Sequence, residues 1–427
     1  MKLVEKKYLL SFVAITMLFA LWGFANDITN PMVAAFQTLM ELPAAKASLI
    51  QFAFYGGYAT MAIPAALFIR KYSYKRGILL GLALYAVGAF LFIPAAARQS
   101  FTFFCFSLYI LTFGLAFLET TANPFILSLG SKEYATHRLN LAQAFNPMGS
   151  LAGMYVASMV VLPNLLSDKR DAAGRILFPM LSEAEKAEIR LHDLAVIRDP
   201  YVALGIVVII MMIIIALVKV PVAEPVEAMG SPSANSGTMK RLWRNRVYRE
   251  GVIAQMFYVA AQIMVWTFII QYADNLGISK AKAQNYNISA MCLFLGGRFL
   301  STWLMKYTDG HRLLTIFGIC AAACSLGAIL IVGKAGLYCL IGISLFMSLM
   351  FPTIYGTALE KVSLEDASLG AAFLVMAIVG GALMPPLQGM IIDCDTICGH
   401  PAVNVSYALP LLCFVVVTIY GIRARKK

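Results

Sequence analysis

The 427-residue chain is 60% hydrophobic and only 13% charged, with a mean hydropathy of +0.77, whereas soluble domains are about a quarter charged. That balance excludes a water-soluble enzyme or binding module. The net charge of +12 does not point to a nucleic-acid partner, because the basic residues are scattered between apolar stretches instead of gathered on one water-facing module.

Apolar stretches of about 20 residues, enough to cross a hydrocarbon core of about 30 Å, recur along the whole length. Lys2, Lys6 and Lys7 followed by an apolar run imitate a signal peptide, but the run is too long and residues 20–30 offer no clear cleavage site. We read it as a retained first helix. The first six expected spans cover residues 9–39, 47–69, 77–97, 101–129, 139–162 and 201–218, and the second six cover 247–276, 281–305, 313–332, 335–355, 368–392 and 405–422. The fold class expected is an all-α membrane protein of twelve transmembrane helices in two six-helix bundles, residues 1–219 and 247–427. Residues 220–246, rich in Pro, Ser, Gly and Ala before turning basic, form the expected linker.

Between the fifth and sixth spans, residues 163–200 mix both charge signs, as a short surface helix would. The eight cysteines lie mostly inside apolar runs without zinc-ligand spacing. Cys394 and Cys398, beside Asp393, Asp395 and His400, occupy a predicted loop where a disulfide or weak metal site is conceivable. Neither a metal site nor a cofactor is assigned.

With the N-terminus placed in the cytoplasm, 22 of the 34 lysines and arginines fall on that side, 11 on the other, and Arg298 within a span. The positive-inside rule therefore puts both termini in the cytoplasm. The halves also echo each other at an offset of 228: Pro124, Ala144, Phe145, Met148 and Gly153 correspond to Pro352, Ala372, Phe373, Met376 and Gly381. Two similar bundles are what a rocking transporter needs, and an intramembrane enzyme has no such requirement. His137, His192, His311 and His400 are isolated in loops or at span ends, which also argues against an enzyme.

Ionisable groups in mid-span cost about 2.5 to 3.5 kcal/mol on insertion scales and mark function by default. Three stand out: Asp27, Glu119 and Arg298. At 1.5 Å per residue, Glu119 lies about 20 Å from Lys132 and Asp27 about 30 Å from Lys7, so both are deep. A carboxyl group there can hold a proton while closed off and release it when water enters from one side, which suits Asp27 and Glu119 to proton coupling. Arg298, about 12 Å from Lys306, fits a structural or gating role. Polar amides surround these groups. Asn26 and Asn30 share a face, as do Glu119 and Asn123; Gln143 and Asn146 follow in the fifth span, and Gln255, Tyr258, Gln262 and Trp266 form a stripe in the seventh. Amides that grip adjacent hydroxyls and aromatic faces that cover C–H edges suit a small neutral sugar. Pro31, Pro124 and Pro352 stand beside these clusters, where a lost backbone bond is tolerated only against protein or a water-filled cavity.

The segments FALWGFAND, LETTANPF, HRLNLAQAFNPMGSLAG, AQMFYVAAQIMVWTFIIQYADN, GRFLSTWL and FPTIYGTALE resemble the fucose permease group of the major facilitator superfamily, over nearly the whole chain. The resemblance implies a proton-coupled symporter of L-fucose in the bacterial inner membrane, a monomer among membrane lipids. Alternatives are galactose or glucose as the sugar and sodium as the coupling ion. It maps the family's fourth-helix glutamate onto Glu119. The family's first-helix aspartate aligns with Asn30, and Asp27 stands three residues earlier. It also implicates Gln143, Asn146 and the seventh-helix amides in lining the cavity.

Overall fold

The computed structural model describes residues 6–129, 142, 145–171, 174–217, 236–305, 307–360, 362–363, 366, 370, 373–397 and 399–425. Gln143 and Cys398 lie outside them. Packing divides the chain into two compact units. The first comprises residues 1–40, 56–169 and 176–226, and the second comprises 41–55, 170–175 and 227–427.

The first unit opens with α1 (Lys6–Thr29), apolar on all sides, as a helix among lipid and other helices must be. The expected single span 9–39 is two helices. Pro31 has no N–H and disfavours helical backbone at Asn30, so α1 ends at Thr29 and α2 (Met32–Leu39) resumes beyond it. After α3 (Ala44–Ala47) comes α4 (Leu49–Lys71), then α5 (Tyr74–Phe90), whose first turn is closed by Ser73 accepting the Arg76 N–H at 3.2 Å. Next are α6 (Phe92–Ala97) and α7 (Phe101–Ser128), which carries Pro124 without ending.

The helix α8 (Phe145–Val156) passes into a π-helical turn at Ala157–Val161 and a 3-10 turn at Leu162–Asn164, where Pro163 stops it. It lies directly on α1. A Cβ at Gly149 would fall 1.9 Å from the Ala20 carbonyl oxygen, so only glycine lets these backbones approach so closely.

The stretch expected as a loop helix followed by a separate span from 201 is one helix, α9 (Glu183–Leu217), with Pro200 inside it. A helix satisfies its own backbone bonds, so it can cross from water into lipid without a break. The sharp change in charge density near residue 200 marks the interface, not the end of a helix. Its 35 residues extend about 52 Å. The preceding loop is tied to it by buried Asp193, which accepts the Leu166 and Ser167 N–H groups, both at 2.9 Å.

The second unit begins, within the expected flexible linker, with a helix. This is α10 (Ser236–Arg244), a correction explained by its docking. Leu242 is buried with Tyr248, Ala358 and Leu374, and Arg241 donates to both carboxylate oxygens of Asp366 at 2.9 and 2.6 Å. The helix α11 (Arg246–Asn275) runs through the middle of this unit, followed by α12 (Lys280–Leu304), α13 (Gly310–Leu330), α14 (Lys334–Met347) and α15 (Met350–Leu359). Last come α16 (Gly380–Ile392), a two-residue antiparallel pair, Thr396–Ile397 with His400–Pro401, then α17 (Ala402–Val405) and α18 (Ala408–Arg425). Packing of α16 on α11 repeats that of α8 on α1. A Cβ at Gly380 would fall 2.0 Å from the Met256 carbonyl oxygen.

Two stretches from the first half of the chain belong to this second unit. The Asp393 carboxylate after α16 accepts the Ala44 and Ala45 N–H groups at 2.5 and 3.0 Å, closing the start of α3. Gln51 donates to Thr267 at 2.9 Å, and Arg170 pairs with Asp274.

Eleven helical stretches among the described residues are long and apolar enough to cross a membrane. The eighth expected span, α12, has the length, but Lys280, Lys282, Gln284, Asn285, Asn287 and Arg298 dilute its apolar character. With it the architecture is the expected twelve-helix one.

Candidate functional site

In the first unit the acidic residues stand on neighbouring, differently packed helices. Asp27 is buried in α1, and its carboxylate accepts the Asn30 amide at 3.0 Å and the Asn26 amide at 3.4 Å. Both neighbouring amides therefore serve it. Asn30 is fully buried, while Asn26 stays half-buried. Three residues separate Asn30 from Asp27, just under one helical turn, which brings amide and carboxylate side by side. Ser150 of α8 donates weakly to the Gly23 carbonyl at 3.4 Å, and Asn146 to the Phe19 carbonyl at 3.3 Å. Both thus cross to α1 and support the helix that carries Asp27.

Glu119 sits half-buried in α7, in contrast to the enclosed Asp27. Asn123 and Pro124 lie one turn further along the same helix. Trp22 and Tyr58, not singled out from the sequence, lie side by side in this unit. Trp22 is half-buried on α1, 6.5 Å from the Tyr58 ring and 6.1 Å from Phe19. The available signal was Trp22 and Asn26 at i, i+4 spacing within FALWGFAND, which puts an indole and an amide on one stripe.

In the second unit, the stripe expected on α11 separates into different environments. Tyr258 donates to the Met347 carbonyl at 3.1 Å, and the Trp266 indole donates to Ser344 at 3.1 Å, so both are engaged with α14 or the residues at its end. The Trp266 ring also meets Phe294 edge-on at 5.2 Å. Gln255 is fully buried, and both its side-chain polar atoms lack a hydrogen-bond partner among the described residues. Gln262 remains half-buried. Helical spacing placed these four on one arc, but α11 is enclosed by neighbours on most sides, so an arc does not by itself define a wetted face.

Arg298 is exposed in α12, its guanidinium 5.1 Å over the Phe294 ring. Pro352 occupies the first turn of α15, just after the tenth expected span breaks between Met347 and Met350. Pro31 stands at the break between α1 and α2. Two of the three prolines thus mark interruptions, whereas Pro124 sits within a continuous helix. Asn287, also missed, bridges α12 to the Trp266 carbonyl at 3.2 Å, as interhelical amides do in lipid. Among the described residues no cluster of His, Cys, Asp or Glu has the makings of a metal site.

A half-buried carboxylic acid within a membrane span can bind a proton and hydrogen-bond a polyhydroxylated ligand. It offers no activated nucleophile. The family model described as Major Facilitator Superfamily matches residues 9–385. An L-fucose-proton symporter of Haemophilus influenzae is 64% identical over 425 residues, covering 100% of this chain and 99% of that protein. An L-fucose-proton symporter of Escherichia coli is 34% identical, covering 98% of this chain and 93% of that one. Among solved structures, an E. coli fucose:proton symporter superposes with a TM-score of 0.69 at 32% identity, covering 98% of this chain and 99% of its own.

Proposed function

We propose, since the chain belongs to the Major Facilitator Superfamily, that it carries L-fucose into the cell together with protons by alternating access. The observation that carries this is Glu119, an acidic residue half-buried in a span, within a chain 64% identical to an L-fucose-proton symporter. Neutral and charged forms of an acid inside a membrane protein differ greatly in solvation cost, so its protonation is tied to which side admits water. A sugar hydroxyl seated against the neutral acid makes the loaded form the one that closes, and proton release inward frees the sugar.

The further assignments rest on the same reading. Asp27 is the second proton-sensitive group, enclosed by Asn26 and Asn30. Glu119, Asn26, Asn30, Asn123, Gln143, Asn146, Gln255, Tyr258, Gln262 and Trp266 contribute to the sugar site. Arg298, Pro31, Pro124 and Pro352 serve structure or gating. The protein acts as a monomer in a bacterial inner membrane with both termini in the cytoplasm.

Counterflow of labelled sugars into proteoliposomes, with and without a pH gradient, tests the whole. L-fucose exchanges, an acidic exterior drives its accumulation, and galactose and glucose exchange less. Failure of every monosaccharide to exchange would remove the proposal, and preference for galactose or glucose would move the assignment to that hexose.

A further inference from the structure

The helices α1, α8 and α9 of the first unit leave between them a groove of about 830 Å3, open towards the surface that faces lipid. Its walls are almost wholly apolar. Ala152, Val156 and Val160 line one side and Ala203, Val207 and Met211 another, with Met17 at the α1 edge. Met17, Val160 and Val207 are 42%, 50% and 43% exposed, so the groove communicates with the surroundings along its length. No acid or amide of the proposed sugar site lines it, and a sugar would find few partners there.

The π-helical turn Ala157–Val161 contributes Val160 to this wall. A π turn widens a helix and shifts its register, and such turns recur at functional sites. Along α9 the lining runs from His192 to Met211, about 28 Å, of which the stretch beyond Pro200, about 16 Å, matches the hydrocarbon depth of one leaflet.

One end differs from the rest. Asn164, His192 and Asp199 line it, and Arg198 donates to Asp199 at 2.8 and 2.6 Å. A cationic guanidinium and an anionic carboxylate therefore stand together where the apolar channel ends, at the level where α9 becomes rich in charge. A headgroup carrying both a phosphate and an ammonium complements this pair: phosphate towards Arg198 and His192, ammonium towards Asp199. A headgroup that is only anionic brings a second negative charge beside Asp199 with no ammonium to offset it.

We infer that this groove is a binding site for one zwitterionic phospholipid, with an acyl chain along α1, α8 and α9 and its headgroup at His192, Arg198 and Asp199. The lipid belongs to the leaflet on the side of the residue 163–200 loop.

The test uses the full chain purified in mild detergent, titrated with phosphatidylethanolamine or phosphatidylglycerol, with bound lipid counted by native mass spectrometry. Ala152 and Ala203 are exposed, so Ala152→Trp and Ala203→Trp fill the groove without disturbing the core. Val87→Trp, at a residue 52% exposed outside the groove, is the control. Wild type and Val87→Trp retain one phosphatidylethanolamine in preference to phosphatidylglycerol. The groove variants bind it about tenfold less, the change expected from losing burial of about two acyl methylene groups. Asp199→Asn binds the two lipids alike while keeping an occupied groove. Unchanged lipid retention in both groove variants overturns the site. So does a wild type that retains no lipid, or one that takes phosphatidylglycerol equally well.

Discussion

At the level of single residues, the two acids face different demands. Glu119 is half-buried, so protonation there responds to what enters beside it, whereas Asp27 is enclosed and already holds two amides. Glu119→Gln preserves shape and hydrogen bonding but cannot exchange a proton. In proteoliposomes it abolishes proton-driven accumulation of labelled L-fucose while leaving counterflow measurable, and accumulation at the wild-type level would take Glu119 out of the coupling. Asp27→Ala removes the buried hydrogen bond that the Asn30 amide donates at 3.0 Å. Thermal unfolding in detergent registers a loss of about 1–3 kcal/mol, the usual cost of removing a buried hydrogen bond to a charged group. The sequence placed Asp27 three residues before Asn30. Only the tertiary packing decided that Asp27 would be fully enclosed while the Glu119 residue stayed half-buried. Trp22 escaped the sequence reading for a related reason: a tryptophan in an apolar run signals lipid interface, core or binding surface equally well.

At the level of elements, close backbone approach and capping do the work. Gly149→Val drives a side chain into the Ala20 carbonyl, and since a backbone atom cannot move aside alone the helices must part. A loss of about 1–3 kcal/mol follows, read as a lower melting temperature and lower yield, and a variant as stable as wild type would show that α8 does not depend on this contact. The Asp393 carboxylate closes the first turn of α3 through the Ala44 and Ala45 N–H groups. Its replacement in Asp393→Ala removes a cap worth about 1 kcal/mol. Hydrogen exchange at residues 44–47 accelerates accordingly, with no change across α13. These details were out of reach of hydropathy, which sees a span as a block. Neither the helix break at Asn30–Pro31 nor the continuity of α9 through Pro200 was foreseen, because proline ends one helix and sits inside another according to its neighbours.

For the whole molecule, the direction of the proton force is the decisive property. An acidic exterior raises L-fucose accumulation in oriented vesicles, a protonophore collapses it, and replacing sodium with potassium leaves it unchanged. Accumulation that followed sodium and ignored the pH gradient would reassign the coupling ion. The second unit draws in residues 41–55 and 170–175 from the first half of the chain, through Asp393, Thr267 and Asp274. Arg241 and Leu242 likewise fasten the end of the linker to it.

Span number, helical class, membership of the superfamily and the rare mid-span acids were determined by the sequence alone, because the bilayer penalises exposed backbone and charge so strongly that few chain patterns survive it. Which polar side chains already have a protein partner was decided by the tertiary structure. Asn30 answers Asp27, Trp266 answers Ser344 and Tyr258 answers the Met347 carbonyl. In lipid every buried polar group seeks a partner, and whether that partner is another helix or a passing sugar depends on packing that helical spacing does not encode.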